Sequence, residues 1–337
     1  MKYICKVTDE FIRLLPGSRF VTVDCEFSGI GDRSKSSTDI GSYLKALMVE
    51  SSKFAMLQIG FCLAFYDDQD LECPWSLYPY NLYTFPSEDE NLYFNSTTVK
   101  WLLSNGFNFN RWINDGVSYR RLAGEELSEP SNSTSMSETP GVHLIIDAII
   151  RHRKPIVVHN GLLDILQIYD KFIGSFPDDA NAIIEELYRL FGTGVFDTKN
   201  IANYLHNDCN YSSLSNRSLG MLYSALNSEF NFHKTIRLCE TACNLKYIKK
   251  GKPSKLDTKR YHEAGFDATV TAMVFTAELS ILAAMEDNEI VHILDAINGH
   301  HDKCGQHVAK LINCVNIHDP LTVSYLDLTG RYLRCKP

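Results

Sequence analysis

Three runs rich in aromatic and β-branched residues, at 20–27, 54–66 and 76–85, open the chain, and thereafter short apolar runs alternate with helical patterns. Such runs predict strands, the second and third close enough to pair antiparallel. Between them the pattern predicts a helix over 40–49. A second, capped by Ser96 or Thr97, runs to Leu103 and stops at Gly106. Further on, the spacing predicts helices over 142–153, 161–172, 179–191 and 198–205, with brief strands at 155–159 and 194–197. Helices over 219–226 and 235–245, a long helix over 264–285 and a strand over 322–328 complete the order. Strands first, then strand–helix alternation, confine such a chain to a mixed α/β sheet with helices on its faces. The 337 residues fit two domains or one large α/β domain with insertions.

Residues 124–141 are Ser-, Glu- and Pro-rich with little to bury, which predicts a linker or loop. The ten cysteines are an even count, but Met1–Lys6 lacks the apolar core of a secretion signal. A reducing intracellular compartment, cytoplasmic or nuclear, is therefore the expectation. The most apolar stretch, 268–285, contains Glu278, so no membrane span is expected. A net charge of −8 argues against a passive nucleic-acid binder. It does not argue against an enzyme whose own carboxylates inflate the negative count. Two local basic stripes could draw in a polyanion: Lys246, Lys249, Lys250, Lys252, Lys255, Lys259 and Arg260, and the run Arg151-His152-Arg153-Lys154. A solvated surface explains either one equally well.

The run Val21-Thr22-Val23-Asp24-Cys25-Glu26-Phe27 sets two carboxylates two residues apart on an apolar strand. In a strand they share a face, about 7 Å apart, and are costly to bury unless a cation or hydrogen-bond donors offset them. A solvated strand edge is the plainer explanation for this pair taken alone. Asp164, near the start of a helix, and Asp267 supply two further acids, although an acid there also suits the helix dipole. Two-metal phosphodiester chemistry needs about four acidic ligands and a base for the attacking water, and His262 has a suitable pKa for that base. On a continuous helix His262 and Asp267 would be about 140° apart; Gly265 predicts a loop-to-helix transition that lets both face one cleft. Two Cys/His groupings, Cys209 and His233 with Cys239-x3-Cys243, and Cys304-x2-His307-x6-Cys314-x3-His318, match no regular zinc spacing. Neither a P-loop nor a dinucleotide-binding or nucleophile-elbow motif is present.

The pieces VDCEFSGIG, MLQIGFCLAFYD, NLYTFP, SNGFNFNRWINDGVSY, PIVVHNGLLDILQIYDKF, GVFDTKNIA, HEAGFDATVTAMVF and VSYLDLTG run in order along the chain. In this the chain resembles the DEDD-type (DEDDh) 3′→5′ exoribonucleases of the poly(A)-specific ribonuclease group. The resemblance implies an RNase H-like mixed sheet flanked by helices, a single nuclease domain over 1–337 with a helical and basic insert at about 206–260. It implies Asp24, Glu26, Asp164 and Asp267 as ligands of two divalent metal ions (Mg²⁺, with Mn²⁺ as a substitute) and His262 as general base. Lys199, Phe27, His159 and Asn160 are the candidate substrate contacts. Single-stranded RNA 3′ ends are the implied partner, poly(A) tails or small-RNA precursors the implied substrates, and a homodimer and a small-RNA pathway protein further expected partners. Where the poly(A)-specific group carries an inserted RNA-binding domain, this chain has only 124–141, and no RRM follows, which is closer to the compact trimming members. A single-stranded DNA exonuclease on the same fold and a catalytically inactive RNA-binding subunit are the rival readings.

Overall fold

The computed structural model describes residues 2–30, 40–86, 91–119, 141–192, 194–247, 256, 258–317 and 325–329. The chain opens with α1 (Lys2–Leu14), β1 (Phe20–Phe27), α2 (Ile40–Lys53), β2 (Met56–Tyr66) and β3 (Trp75–Pro86). There follow α3 (Ser96–Ser104), α4 (Phe109–Asp115), β4 (Val117–Tyr119), α5 (Gly141–Arg151), β5 (Ile156–Val158) and α6 (Leu162–Phe172). Next come α7 (Ala180–Phe191), β6 (Val195–Asp197), α8 (Thr198–Asn207), α9 (Leu219–Phe230), α10 (Phe232–Thr235) and β7 (Ile236–Leu238). The last elements are α11 (Ala264–Met285), α12 (Ile290–Ile297), β8 (Cys314–Asn316) and β9 (Tyr325–Asp327). Among the described residues these strands form one sheet in the order β4-β3-β2-β1-β5-β6-β8-β9, with β7 beside β3. The pairs β1–β2, β2–β3 and β8–β9 are antiparallel, whereas β1–β5, β5–β6 and β6–β8 are parallel. The mixed sheet predicted from the element order is therefore the one observed.

Strand periodicity divides the interior. Along β1, Val21, Val23, Cys25 and Phe27 enter a first core with α1, α2, α5 and α6, while Phe20 enters a second core with α8, α9 and α11. A third, small core gathers Leu57, Leu102, Phe107 and Trp112 beneath α3 and α4. Helix α11 is apolar around its whole circumference and is buried on all sides. It is long and apolar enough to cross a membrane, yet it is the central helix of the second core. Its docking on the sheet depends on Gly60 of β2, where a Cβ would stand 2.1 Å from the Ala264 carbonyl carbon. On the same face the Thr22 hydroxyl donates to the Ala268 carbonyl at 2.7 Å.

Three expectations are corrected, the first being the cap of α3, which is Asn95 rather than Ser96 or Thr97. The helix predicted over 235–245 is absent beyond Thr235, the last residue of α10: Ile236, Arg237 and Leu238 alternate as a strand and pair with Trp75–Leu77 on the open edge of β3. The hydrogen-bonding groups of that edge outweigh any helical preference of so short a segment. Lys154 is not a free surface charge either, since its ammonium donates to the carbonyls of Pro16 at 2.8 Å and Ser18 at 2.6 Å. The predicted loop at 124–140, four lysines of the first basic stripe (Lys249, Lys250, Lys252 and Lys255) and residues 322–324 of the last predicted strand lie outside the described residues.

Gly60→Ala should cost about 3 kcal/mol or more, the upper range for forced overpacking, because the obstructing atoms are backbone. Thermal unfolding should show a Tm lower by several degrees, and an unchanged Tm would mean that α11 can lift from β2 without penalty.

Candidate active site

The carboxylates converge where regular pairing stops. Strand β5 pairs with β1 only at Val21 and Thr22. Beyond that short ladder the Cys25 N–H would face no strand, and the Asp164 Oδ1 accepts it at 2.9 Å. Asp164 lies in the first turn of α6, where the helix N-terminus favours negative charge. Asp24 and Glu26 lie on the same strand as Cys25 with the opposite side-chain phase, on the face that receives α11.

Helix α11 begins here because the sheet satisfies its first amides. The Gln58 Oε1 accepts the Ala264 N–H at 2.9 Å, and the Asn81 Oδ1 accepts the Gly265 N–H at 2.9 Å. Asn81 Nδ2 also donates to Glu263 Oε1 at 3.2 Å, and Glu263 pairs with Arg260 at 2.7 Å. Gly265 serves packing more than bending: a Cβ there would stand 2.6 Å from the Asn81 Cβ and the Tyr247 hydroxyl. The reversal that brings His262 and Asp267 together lies at His262 itself, whose φ is +73°. Its N–H donates to Asp267 Oδ2 at 2.8 Å. The other oxygen, Asp267 Oδ1, is buried and has no hydrogen-bond partner among the described residues.

One ligand atom each from Glu26, His262 and Asp267 falls within 4.8 Å of the others. Asp24 is pushed well above the usual carboxylate range by burial, then by repulsion from Asp164, Asp267 and Glu26. Burial, then Asp267 and Asp164, raise Glu26 likewise. Asp267 is raised to about 7, chiefly by burial, against the lowering effect of the His262 N–H. Burial lowers the His262 imidazole, which favours its neutral form. No lysine or arginine among the described residues pairs with Asp24, Glu26 or Asp267. Clustered oxygen donors with an orphaned carboxylate oxygen fit a hard divalent cation. The structure thus brings together all five residues predicted as catalytic.

The candidate substrate contacts are placed differently. Lys199, His159 and Asn160 surround Asp197, whose oxygens accept the N–H groups of Asn160, Gly161, Lys199, Asn200 and Asn316. Asn160 Oδ1 also accepts from Asn316 Nδ2 at 2.6 Å, and the Lys199 ammonium is 3.5 Å from it. His159 Nδ1 meets the Thr198 hydroxyl at 2.8 Å, and burial, with the Lys199 charge, lowers its pKa to about 3. The Phe27 ring is packed in the first core. In the Cys/His groupings, Cys243 donates to the Asn81 carbonyl, and His307 Nδ1 meets the Tyr204 hydroxyl at 2.7 Å. Among the described residues the only cluster of metal-ligand spacing is that of Glu26, His262 and Asp267. Gln58, Asn81, Glu263 and Asp197 were not singled out from the sequence. Nothing in their residue types marks them, although Gln58, Asn81, Glu263 and Asp197 all fall within segments that carry the family resemblance.

A family model described as CAF1 family ribonuclease matches residues 4–135 and 121–275. The chain is 31% identical over 152 residues to the pre-piRNA 3′-exonuclease trimmer of Bombyx mori, covering 44% of this chain and 26% of that protein. It is 25% identical over 179 residues to poly(A)-specific ribonuclease PNLDC1 of Homo sapiens, covering 52% of this chain and 32% of that one. With poly(A)-specific ribonuclease PARN of Arabidopsis thaliana it shares 30% over 141 residues, 40% of this chain and 20% of the relative. The matched regions thus span about a third or less of these relatives. The structure of S. pombe Pop2p in its Mg²⁺- and Mn²⁺-bound form superposes with a TM-score of 0.52 at 14% identity, covering 92% of this chain and 94% of that one. This likeness establishes the RNase H-like DEDD fold.

An acid whose pKa is raised on folding stabilises the folded state while protonated. The contribution of Asp267 is therefore complete below about 3.8 and is lost as the pH rises through about 7. In EDTA, the Tm of Asp267→Asn should exceed that of the unaltered protein by a margin that widens from acid to neutral pH. Added Mg²⁺ should narrow that margin by raising the unaltered protein alone; a margin that does not change with pH would remove Asp267 from the coupled cluster.

Proposed function

The chain belongs to the CAF1 ribonuclease family, and we propose that it is a metal-dependent 3′→5′ exoribonuclease trimming single-stranded RNA 3′ ends to 5′-nucleotides. The observation that carries this reading is the convergence of acids from β1, α6 and α11 beside His262. Asp24, Glu26, Asp164 and Asp267 would hold two divalent ions, Mg²⁺ or Mn²⁺. Such ions, when bound, supply charge neutralisation at the phosphate and acidify a water. His262, held neutral by burial, accepts the proton of the attacking water. Its Asp267-bound N–H fixes the backbone from which the imidazole projects. Burial and the Lys199 charge keep the His159 imidazole neutral, and with Asn160 and Lys199 it forms a neighbouring polar cluster for the RNA backbone.

Two relatives carry poly(A)-specific ribonuclease in their names and another is a pre-piRNA trimmer. Poly(A) tails and small-RNA precursors are accordingly the substrate classes proposed here, with a small-RNA pathway protein among the partners. Exposed Leu103 and Ile113 on α3 and α4 support a homodimer. No two of the nine described cysteines are joined in a disulfide, which supports a reducing compartment, cytoplasmic or nuclear. The orphaned Asp267 oxygen favours an enzyme over an inactive binding subunit, because a binder gains nothing from acids that repel phosphate. Discrimination against DNA would rest on the 2′-OH.

End-labelled oligo(A), oligo(U) and single-stranded DNA should separate these readings. RNA should shorten stepwise from its 3′ end with Mg²⁺ and stay intact with EDTA. Asp24→Ala, Glu26→Ala, Asp164→Ala and Asp267→Ala should each remove nearly all activity, and His262→Ala should slow turnover roughly 10²–10⁴-fold. Equal cleavage of DNA would favour the DNA exonuclease, and RNA binding without any cleavage would favour the inactive subunit.

A further inference from the structure

Trp101 is 43% exposed, yet its indole lies 4.3 Å from the His262 ring, centroid to centroid, at an interplanar angle of 66°. We propose that Trp101 is a positioning residue that holds the His262 imidazole toward Glu26 and Asp267. The inference rests on the nuclease reading of the site and assigns to it a residue that lies outside the acid set.

The Asp267 bond and the left-handed φ fix the backbone of His262, not its ring. Two side-chain torsions remain free. An imidazole with a catalytic task is ordinarily oriented by a hydrogen bond to its second nitrogen. Among the described residues neither ring nitrogen of His262 makes one. The indole edge-to-face contact therefore supplies the restraint that a carboxylate or carbonyl would supply elsewhere.

The indole is itself held in register with the metal-ligand strand. Ser28, two residues beyond Glu26, accepts the Asn95 N–H on its carbonyl at 2.9 Å. Its hydroxyl donates to the Tyr93 carbonyl at 2.6 Å and accepts the Ala55 N–H at 2.9 Å. Asn95 in turn caps α3, accepting the N–H groups of Thr97 and Thr98 at 3.0 and 3.1 Å. Leu102, beside Trp101, is fully buried in the third core and fixes the rotation of the helix. One rigid frame thus carries both a carboxylate ligand and the aromatic wall of the base, while the exposed indole adds little to the core.

The test compares Trp101→Ala, Trp101→Leu and Trp101→Phe by steady-state kinetics on labelled oligo(A) with Mg²⁺, by thermal unfolding, and by NMR of ring-labelled histidine, with the His262 signal assigned by its loss in His262→Gln. In the Ala and Leu variants kcat should fall about 10- to 100-fold, the scale for a group displaced by about an ångström. KM and Tm should stay near those of the unaltered protein, and Phe should restore most of the rate. The His262 ring signal should carry an aromatic ring-current shift in the unaltered protein and the Phe variant, and lose it in Ala and Leu. Unchanged kcat in Ala and Leu would overturn the proposal, as would a raised KM with intact kcat, which would make the indole a stacking surface for a base. Should the Ala variant fail to fold, the Leu and Phe pair decides. If the unaltered protein cleaves no RNA, the nuclease reading fails, whereas the ring-current measurement still decides whether Trp101 orients His262.

Discussion

Where the first turn of α11 crosses β2, backbone meets backbone with no side chain between them. A Cβ on Gly60 would overlap the Ala264 carbonyl group, and one on Gly265 would overlap Asn81 and Tyr247. The two glycines let the helix start at sheet level, so Gln58 and Asn81 can satisfy its first amides and Asp267 can reach the acids of β1. A helix raised by one methyl would keep its apolar burial further along, against Phe20 and Phe196, and lose only the cluster at its start. The acids are thus held together by contacts that lie mainly outside the acids themselves.

The same sheet bears carboxylates in two electrostatic conditions. Asp197 is fully buried, and the N–H groups of five residues converge on its two oxygens; that bonding opposes the upward push of burial on its pKa. It joins the ends of β5 and β6, and the helices that follow those two strands, to β8 and is consumed in doing so. Among the described residues Asp267 has a single N–H on one oxygen and nothing on the other. A carboxylate saturated with donors is structural, and one left short of them is available to a cation. This difference in donor supply separates the acid proposed as a metal ligand from the structural one more clearly than burial, which both share.

Much of this was legible in the sequence because strand and helix periodicity report burial directly. The face shared by Asp24 and Glu26 followed from the period of a strand, and the starts of α6 and α11 followed from apolar spacing. The failures are those of non-local pairing. Residues 236–238 become a strand only because β3 offers an open edge, and Lys154 is tied down by carbonyls 136 and 138 residues away in the chain. The loop-to-helix transition expected between His262 and Asp267 is present, with α11 starting at Ala264, although Gly265 itself answers a packing demand and the backbone reversal lies at His262. Asp197 went unmarked in the sequence, since its donors come from three separate segments.

The left-handed backbone at position 262 bears on how this fold would age. Glycine and asparagine occupy that conformation with less strain than histidine does. While the imidazole is needed, selection must hold a residue that the backbone alone would not choose. Once the chemistry is dispensable, drift toward glycine or asparagine relieves the strain and leaves the surrounding hydrogen bonds of α11 intact. Among descendants of such a chain, position 262 would then record the loss of catalysis earlier than the acids, two of which also carry backbone hydrogen bonds that the fold continues to use.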